Sequence, residues 1–224
     1  MQARHSGPNP DTLYPLSGFP RAVFLKNFIT RQNVLVGDYT YYDDPDGAER
    51  FEENNILYHY DFSGDRLVIG RFTALATGVR FLMNGANHAM GGFSTFPFNI
   101  FGGGWEEGFD PATWTDQSRG DTVVGSDVWI GRETVVMPGV TIGDGAIIAA
   151  NSVIVSDIPA YAIAGGNPAR VIRMRFDEDM VSRLLALQWW NWQASDITRA
   201  LDAIRGADID ALERAAPEKA NSEW

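Results

Sequence analysis

Few residues in this chain can carry chemistry. There are three histidines, His5, His59 and His88, and no cysteine. A neutral imidazole accepts a proton near pH 7, so a histidine suits general-base work on a hydroxyl. Without cysteine there is no thiol nucleophile, no disulfide framework and no thiolate metal ligand. His5 lies in a Pro-rich amino-terminal stretch and is set aside. His59 lies in Ile56-Leu57-Tyr58-His59-Tyr60-Asp61-Phe62, which alternates like a strand, so a structural or pocket-lining role is its default. His88 ends Met83-Asn84-Gly85-Ala86-Asn87-His88, where a regular pattern hands over to a long irregular segment. A surface imidazole is the default for a loop histidine; its place beside that segment makes His88 the candidate base.

The pattern is a six-residue repeat. Stepping by six from Val124 gives Val124, Ile130, Val136, Ile142, Ile148, Ile154 and Ala160. Four residues further in each unit stand Val128, Thr134, Val140, Ala146, Ser152, Ile158 and Ala164, all small or β-branched. Each unit reads as a short strand and a sharp turn, with the aliphatic residue pointing into a narrow prism. Three units close one triangular coil, and each coil needs neighbours to bury its apolar face. Earlier units begin at Ile69 and Leu75, Phe81 starts a third, and Val36 heads an isolated first unit. The phase breaks from Asn84 to Gly120. That interruption carries Phe93, Phe96, Phe98, Phe101, Trp105, Phe109 and Trp114, too aromatic for a disordered linker.

The spacing therefore predicts an all-β parallel β-helix with carboxy-terminal helices. Its divisions are an amino-terminal segment 1–35, a β-helix 36–175 with an inserted loop 84–120, a helical cap 176–214 and a disordered tail 215–224. Asp177 is the expected helix N-cap, with Phe176 and Val181 as a hydrophobic staple. A second helix is expected from about Ser195, and the helices are expected to cover the open end of the coil.

Composition narrows the partners. The chain has 224 residues and a formal net charge of -11, which disfavours nucleic acid and anionic membrane surfaces. No run approaches the ~20 apolar residues of a membrane span, and Met1 to Leu16 has no signal-peptide core. A cytoplasmic location is expected. Arg170, Arg173 and Arg175 form a local basic cluster suited to phosphate, against the alternative of a solvated coil edge. Trp129 reads equally as core filling or as a ligand contact.

Six segments together resemble the xenobiotic acetyltransferases. They are Met83-Asn84-Gly85-Ala86-Asn87-His88, Thr95-Phe96-Pro97-Phe98-Asn99, Gly125-Ser126-Asp127-Val128-Trp129-Ile130-Gly131, Met137-Pro138-Gly139-Val140, Gly165-Gly166-Asn167-Pro168-Ala169 and Trp189-Trp190-Asn191-Trp192. Gly7-Pro8-Asn9-Pro10, the Ile56 to Tyr60 strand and Asn99-Ile100-Phe101-Gly102-Gly103-Gly104-Trp105-Glu106 are similar to the streptogramin A (virginiamycin-type) branch. The resemblance covers roughly Gly7 to Ile204. It implies a left-handed coil and a homotrimer with sites between subunits. It also implies acetyl-CoA as cosubstrate, no metal, and direct transfer to a hydroxyl of a virginiamycin M-like antibiotic with His88 as base. By resemblance, Tyr41, Tyr60, Asn84, Phe96, Phe101 and Trp105 contact the acceptor. Coenzyme A falls to Trp129, Gly131, Ala149, Gly166, Asn167, Pro168, Arg170 and Arg173, with backbone hydrogen bonds from Gly131, Ala149 and Gly166. Two places depart from the family pattern. Thr73-Ala74-Leu75-Ala76 stands where Cys-Ser-Ile-Gly is usual, and Ala89 and Gly91 stand where an arginine and an acidic residue follow the histidine.

Other acceptors are a chloramphenicol (type B enzymes), another hydroxylated small molecule, a sugar or serine. A metal-dependent hydratase on a similar coil would need three histidines near the coil, and one of the three here lies in the tail. A non-catalytic scaffold or binding module gives no reason for the Asn-His segment at the loop junction.

Overall fold

A computed structural model describes residues 7–110, 113 and 118–217. His5, Trp114 and the tail from residue 218 onward lie outside the described residues.

The repeat builds a three-sided prism. Strand β1 (Ala22–Phe24) precedes a first coil of β2 (Val34–Val36), β3 (Tyr41–Asp43) and β4 (Ile56–Leu57). The second coil is β5 (Leu67–Ile69), β6 (Ala74–Leu75) and β7 (Arg80–Leu82). After the interruption come β8 (Thr122–Val124), β9 (Trp129–Ile130) and β10 (Val135–Val136), then β11 (Thr141–Ile142), β12 (Ile147–Ile148) and β13 (Val153–Ile154). Strands β14 (Ala162–Gly166) and β15 (Ala169–Met174) end the coil. Face I is the parallel sheet β2-β5-β8-β11, and face III is β4-β7-β10-β13. Face II runs β1-β3-β6-β9-β12-β14-β15, parallel in its middle and closed at both ends by antiparallel strands, β1 and β15.

The stepped aliphatic residues fill the prism. Val124, Ile130, Val136, Ile142, Ile148 and Ile154 are buried, as are Val128, Thr134, Val140, Ala146 and Ser152. Gly70 shows why glycine follows the aliphatic residue. A Cβ there would lie 2.6 Å from the Gly125 carbonyl carbon and the Ser126 nitrogen, in the backbone of the next coil. The turn itself needs a left-handed residue three places after the aliphatic one. At the edge between faces I and II this position is held by Tyr39, Phe72, Asp127, Gly145 and Tyr161, all at positive φ. Four of those five are not glycine, and each such conformation costs about 1–2 kcal/mol. The stacked coils must outweigh that cost.

Three expectations are corrected. The unit at Val36 is not isolated: it continues through β3 and β4 as a full first coil, and β2 pairs with β5 from Val34. A short helix α1 (Phe51–Asn54) interrupts this coil and hides the phase. At the other end the repeat slips by two residues, so Ile158 rather than Ala160 takes the inward position and bridges Ile142. Finally, β15 closes face II, while the helices α2 (Glu178–Leu187), α3 (Ala194–Gly206) and α4 (Ile209–Ala215) pack along the I–II edge. Trp189 joins them to the coil by packing on Phe72, ring centroids 5.3 Å apart.

Asp177 caps α2 by accepting from the Met180 N–H, and Phe176 and Val181 join the same apolar cluster. Helix α3 starts one residue earlier than expected, after Gln193. Helix α4 was not foreseen. Asp208 caps it through the Ala211 N–H, and it runs through Ala215, which the sequence reading assigned to the tail. No helix among the described residues is long and apolar enough to cross a membrane.

Candidate active site

The interruption leaves the prism at the edge between faces III and I. It departs after β7 and returns at β8. Its neck is tied by Asn84, which is buried. The Asn84 Nδ2 donates to Asp65 Oδ2 and to the Gly120 carbonyl, each at 2.8 Å. Its Oδ1 accepts from the Arg119 N–H at 2.8 Å and from Asn87 Nδ2 at 3.2 Å. One side chain thus holds both ends of the loop. Burial alone would raise the Asp65 pKa, but hydrogen bonds from Ser63 and Asn84 outweigh it and hold the carboxyl below its usual range. With its amide committed in this way, Asn84 acts as a structural clasp on the loop.

His88 stands just beyond the neck and is exposed. Its Nδ1 lies 2.8 Å from the Thr95 carbonyl oxygen. A carbonyl only accepts, so Nδ1 carries the proton and donates. Nε2 is then the basic nitrogen. His88 lines two clefts. One, of about 110 Å³, is shared with Asn87, Ala89, Thr95, Phe96 and Phe109. The other is more open and is shared with Met90, Ser118 and Arg119. Proton removal from a group held in either cleft is chemistry this geometry can perform.

Phe96 in the first cleft stacks on Phe101, centroids 5.0 Å apart, and meets Phe98 and Trp105 edge-on at 4.8 and 6.4 Å. Phe96, Phe101 and Trp105 are therefore one exposed aromatic cluster, and Phe98 belongs to it although sequence reasoning left it out. Tyr60 lies on the same edge, one coil earlier. Its ring fills the space beside Gly85, where a Cβ would come within 2.4 Å of it, and it stacks on Phe62 at 5.3 Å. His59 is buried, its Nε2 3.0 Å from Asn33 Nδ2 and 2.9 Å from the Asp65 carbonyl, a structural role.

Tyr41 and Trp129 stand elsewhere. Both project outward from face II, in one row that runs Tyr41, Ala74, Trp129, Ile147, Ile163 and Arg173. In a three-sided prism face II is opposite the III–I edge, so one chain does not bring them to His88. Ala74, in the segment that departs from the family pattern, sits between the two aromatic residues. Trp129 is 55% exposed, which settles its role against core filling. Gly131 and Ala149 stack with Gly165 along the neighbouring II–III edge, and Gly166 follows one residue on. Their N–H groups are already used: Gly131 to the Ile148 carbonyl, Ala149 to the Ala164 carbonyl, and Gly166 to Ser152 Oγ. The backbone hydrogen bonding expected here from sequence therefore does not come from these N–H groups.

The hairpin turn at Asn167-Pro168, with a cis peptide bond, is exposed beside them. Arg170 and Arg173 project from β15, and among the described residues each guanidinium donates to a nearby main-chain carbonyl, of Ala169 and Met174. Arg175 does not join them. It packs over the rings of Tyr161 and Phe176 and lies 3.7 Å from Asp127. The outward row, with an exposed indole and arginines at its end, fits an elongated ligand with a phosphorylated terminus. Among the described residues there is no group of three or more metal-binding side chains.

The parallel three-sided coil and a tautomer-fixed histidine at an insertion define a hexapeptide-repeat transferase. The family described as bacterial transferase hexapeptide (six repeats) matches residues 121–156. The chain is 47% identical over 208 residues to a virginiamycin A acetyltransferase of Staphylococcus aureus, covering 93% of each chain. It is 51% identical over 162 residues, 72% of this chain and 89% of the other, to a probable macrolide acetyltransferase of Lysinibacillus sphaericus. A chloramphenicol acetyltransferase of Agrobacterium fabrum is 39% identical over 195 residues, 87% of this chain and 92% of the other. The chain belongs to the xenobiotic acetyltransferases, enzymes that use acetyl-CoA as cosubstrate.

Proposed function

We propose that this enzyme acetylates a hydroxyl of a streptogramin A antibiotic of the virginiamycin M type, with His88 as the general base. The observation that carries this reading is the Nδ1–Thr95 hydrogen bond, which leaves Nε2 basic beside an aromatic-walled cleft. As the acceptor oxygen bonds to the acetyl carbon, Nε2 takes the hydroxyl proton, the C–S bond breaks, and the proton passes to the departing thiolate. With no cysteine to carry the acetyl group, transfer is direct within a ternary complex.

The coil is left-handed and the enzyme is a homotrimer in the cytoplasm. His88 and the aromatic loop of one subunit meet Tyr41 and Trp129 on face II of its neighbour, which accounts for their separation within one chain. Trp129 packs on the coenzyme, and Asn167, Pro168, Arg170 and Arg173 shape its nucleotide end. Phe96, Phe101, Trp105, Tyr60 and the neighbour's Tyr41 bound the acceptor. The chain is 47% identical to the virginiamycin A enzyme against 39% to the chloramphenicol enzyme, each over most of its length, which favours the streptogramin acceptor. The higher identity to the macrolide enzyme over a shorter span favours a macrolide hydroxyl as the second reading.

Thiol release from acetyl-CoA tests the proposal, with virginiamycin M, a macrolide, chloramphenicol and simple sugars in parallel. Virginiamycin M should give the highest kcat/KM, and His88→Ala should lower turnover by about 10²–10⁴ with the fold retained. Turnover near wild type in that variant would overturn the role of His88. Preference for another acceptor would overturn the assignment of substrate.

A further inference from the structure

A further cavity lies on a different edge of the coil from His88, between the I–II edge and the helices. It measures about 250 Å³. Phe176, Met180, Leu184 and Trp189 give it apolar walls. Its polar groups are Asp127 and Tyr161 from the coil edge, Arg175, and Asp208 at the start of α4. Two carboxylates against one guanidinium make the lining net negative, in a chain of net charge -11. Arg175 only partly offsets Asp127. The closest approach is 3.7 Å, beyond a good hydrogen bond, while the guanidinium donates to the Gly145 carbonyl. The Tyr161 side chain is 1% exposed, and its hydroxyl has no hydrogen-bond partner among the described residues.

We propose that this cavity binds a small lipophilic amine, an arylalkylammonium ion whose apolar body lies between coil and helices and whose ammonium faces Asp127. The walls bury the hydrocarbon, and the aromatic ring of Trp189 favours a cation. The ammonium has three donors and no acceptor, which matches the Asp127 carboxylate. Burial pushes the Asp127 pKa up to about 6, a rise that Arg175 opposes and Asp144 reinforces. A bound cation relieves the cost of that buried negative charge. No residue of this cavity lines the clefts at His88, so the site is independent of the acetylation site.

Calorimetric titration of the full-length enzyme at pH 7.5 with 2-phenylethylamine, beside its neutral isostere 2-phenylethanol, tests the proposal. The amine should bind at least about tenfold more tightly than the alcohol. Asp127→Asn should erase that advantage, weakening the amine about 10–100-fold, as expected for a hydrogen bond to a charged group. The same variant should leave the alcohol unchanged. Ala203→Leu, which fills the cavity, should abolish both, and His88→Ala should alter neither. Equal binding of amine and alcohol to wild type would overturn the proposal, and that comparison needs no variant. So would amine binding unchanged by Ala203→Leu, or no binding of the amine at 10 mM.

Discussion

Removing the Asn84 side chain should detach the inserted loop before it unfolds the coil. Asn84→Ala deletes four hydrogen bonds: two from Nδ2, to Asp65 and Gly120, and two into Oδ1, from Arg119 and Asn87. The bond to the Asp65 carboxylate is charge-assisted and contributes about 1.5–3 kcal/mol. The others are neutral, at about 0.5–1.5 kcal/mol each. Arg119 and Gly120 are exposed, so water replaces part of what they lose, and Asp65 keeps its bonds from the Asn84 N–H and Ser63. The net cost is then about 2–4 kcal/mol. The coil is held by ladders that Asn84 does not join, so the loss should fall on the loop. Amide hydrogen exchange should speed up between residues 84 and 120 by about two orders of magnitude, while coil amides change little. Turnover should fall with the displaced His88, and acetyl-CoA affinity should hold. A variant with full turnover and unchanged exchange in the loop would refute the clasp.

Three other outcomes follow from the structure. Asp127 has its pKa raised to about 6 by burial, above its ordinary 3.8, so its ionisation opposes folding. The penalty is absent below about pH 4, grows through pH 6 and is complete above it. Denaturant midpoints should therefore show Asp127→Asn gaining roughly 1–3 kcal/mol on wild type between pH 4 and pH 7.5; a pH-independent difference would contradict this. Trp129→Ala should raise KM for acetyl-CoA severalfold and leave Tm within a few degrees, because the indole is largely exposed; a fall in Tm without a change in KM would return it to a packing role. Gly70→Ala should lower stability by several kcal/mol, since its Cβ would press on the backbone of the next coil; an unchanged unfolding midpoint would show that the coils can part.

The hexad carried much of the fold because six-residue spacing leaves few ways to bury one aliphatic residue per strand. It failed where the chain leaves that spacing. The α1 excursion disguised the first coil, and the two-residue slip before Ile158 displaced the last unit. Helix α4 is too short and too polar for its period to show beside α3. At the site, residue type and position marked His88, and the family segments marked the aromatic loop. The clasp role of Asn84 was not legible, because a side chain that closes a loop and one that touches a ligand look alike in sequence. The spent N–H groups of Gly131 and Ala149 were likewise invisible, since only coil stacking fixes their partners.

By itself, then, the amino-acid sequence determined the repeating coil, the place of its interruption and the absence of a cysteine nucleophile. These depend on residue type and spacing along the chain. Tertiary structure decided which nitrogen of His88 is basic, what ties the loop, and that Tyr41 and Trp129 stand on the face opposite His88. It also enclosed Asp127 and Tyr161 beneath helices more than fifty residues away from Asp127 in sequence. Those outcomes depend on distances between segments remote in the chain, and no local pattern encodes them.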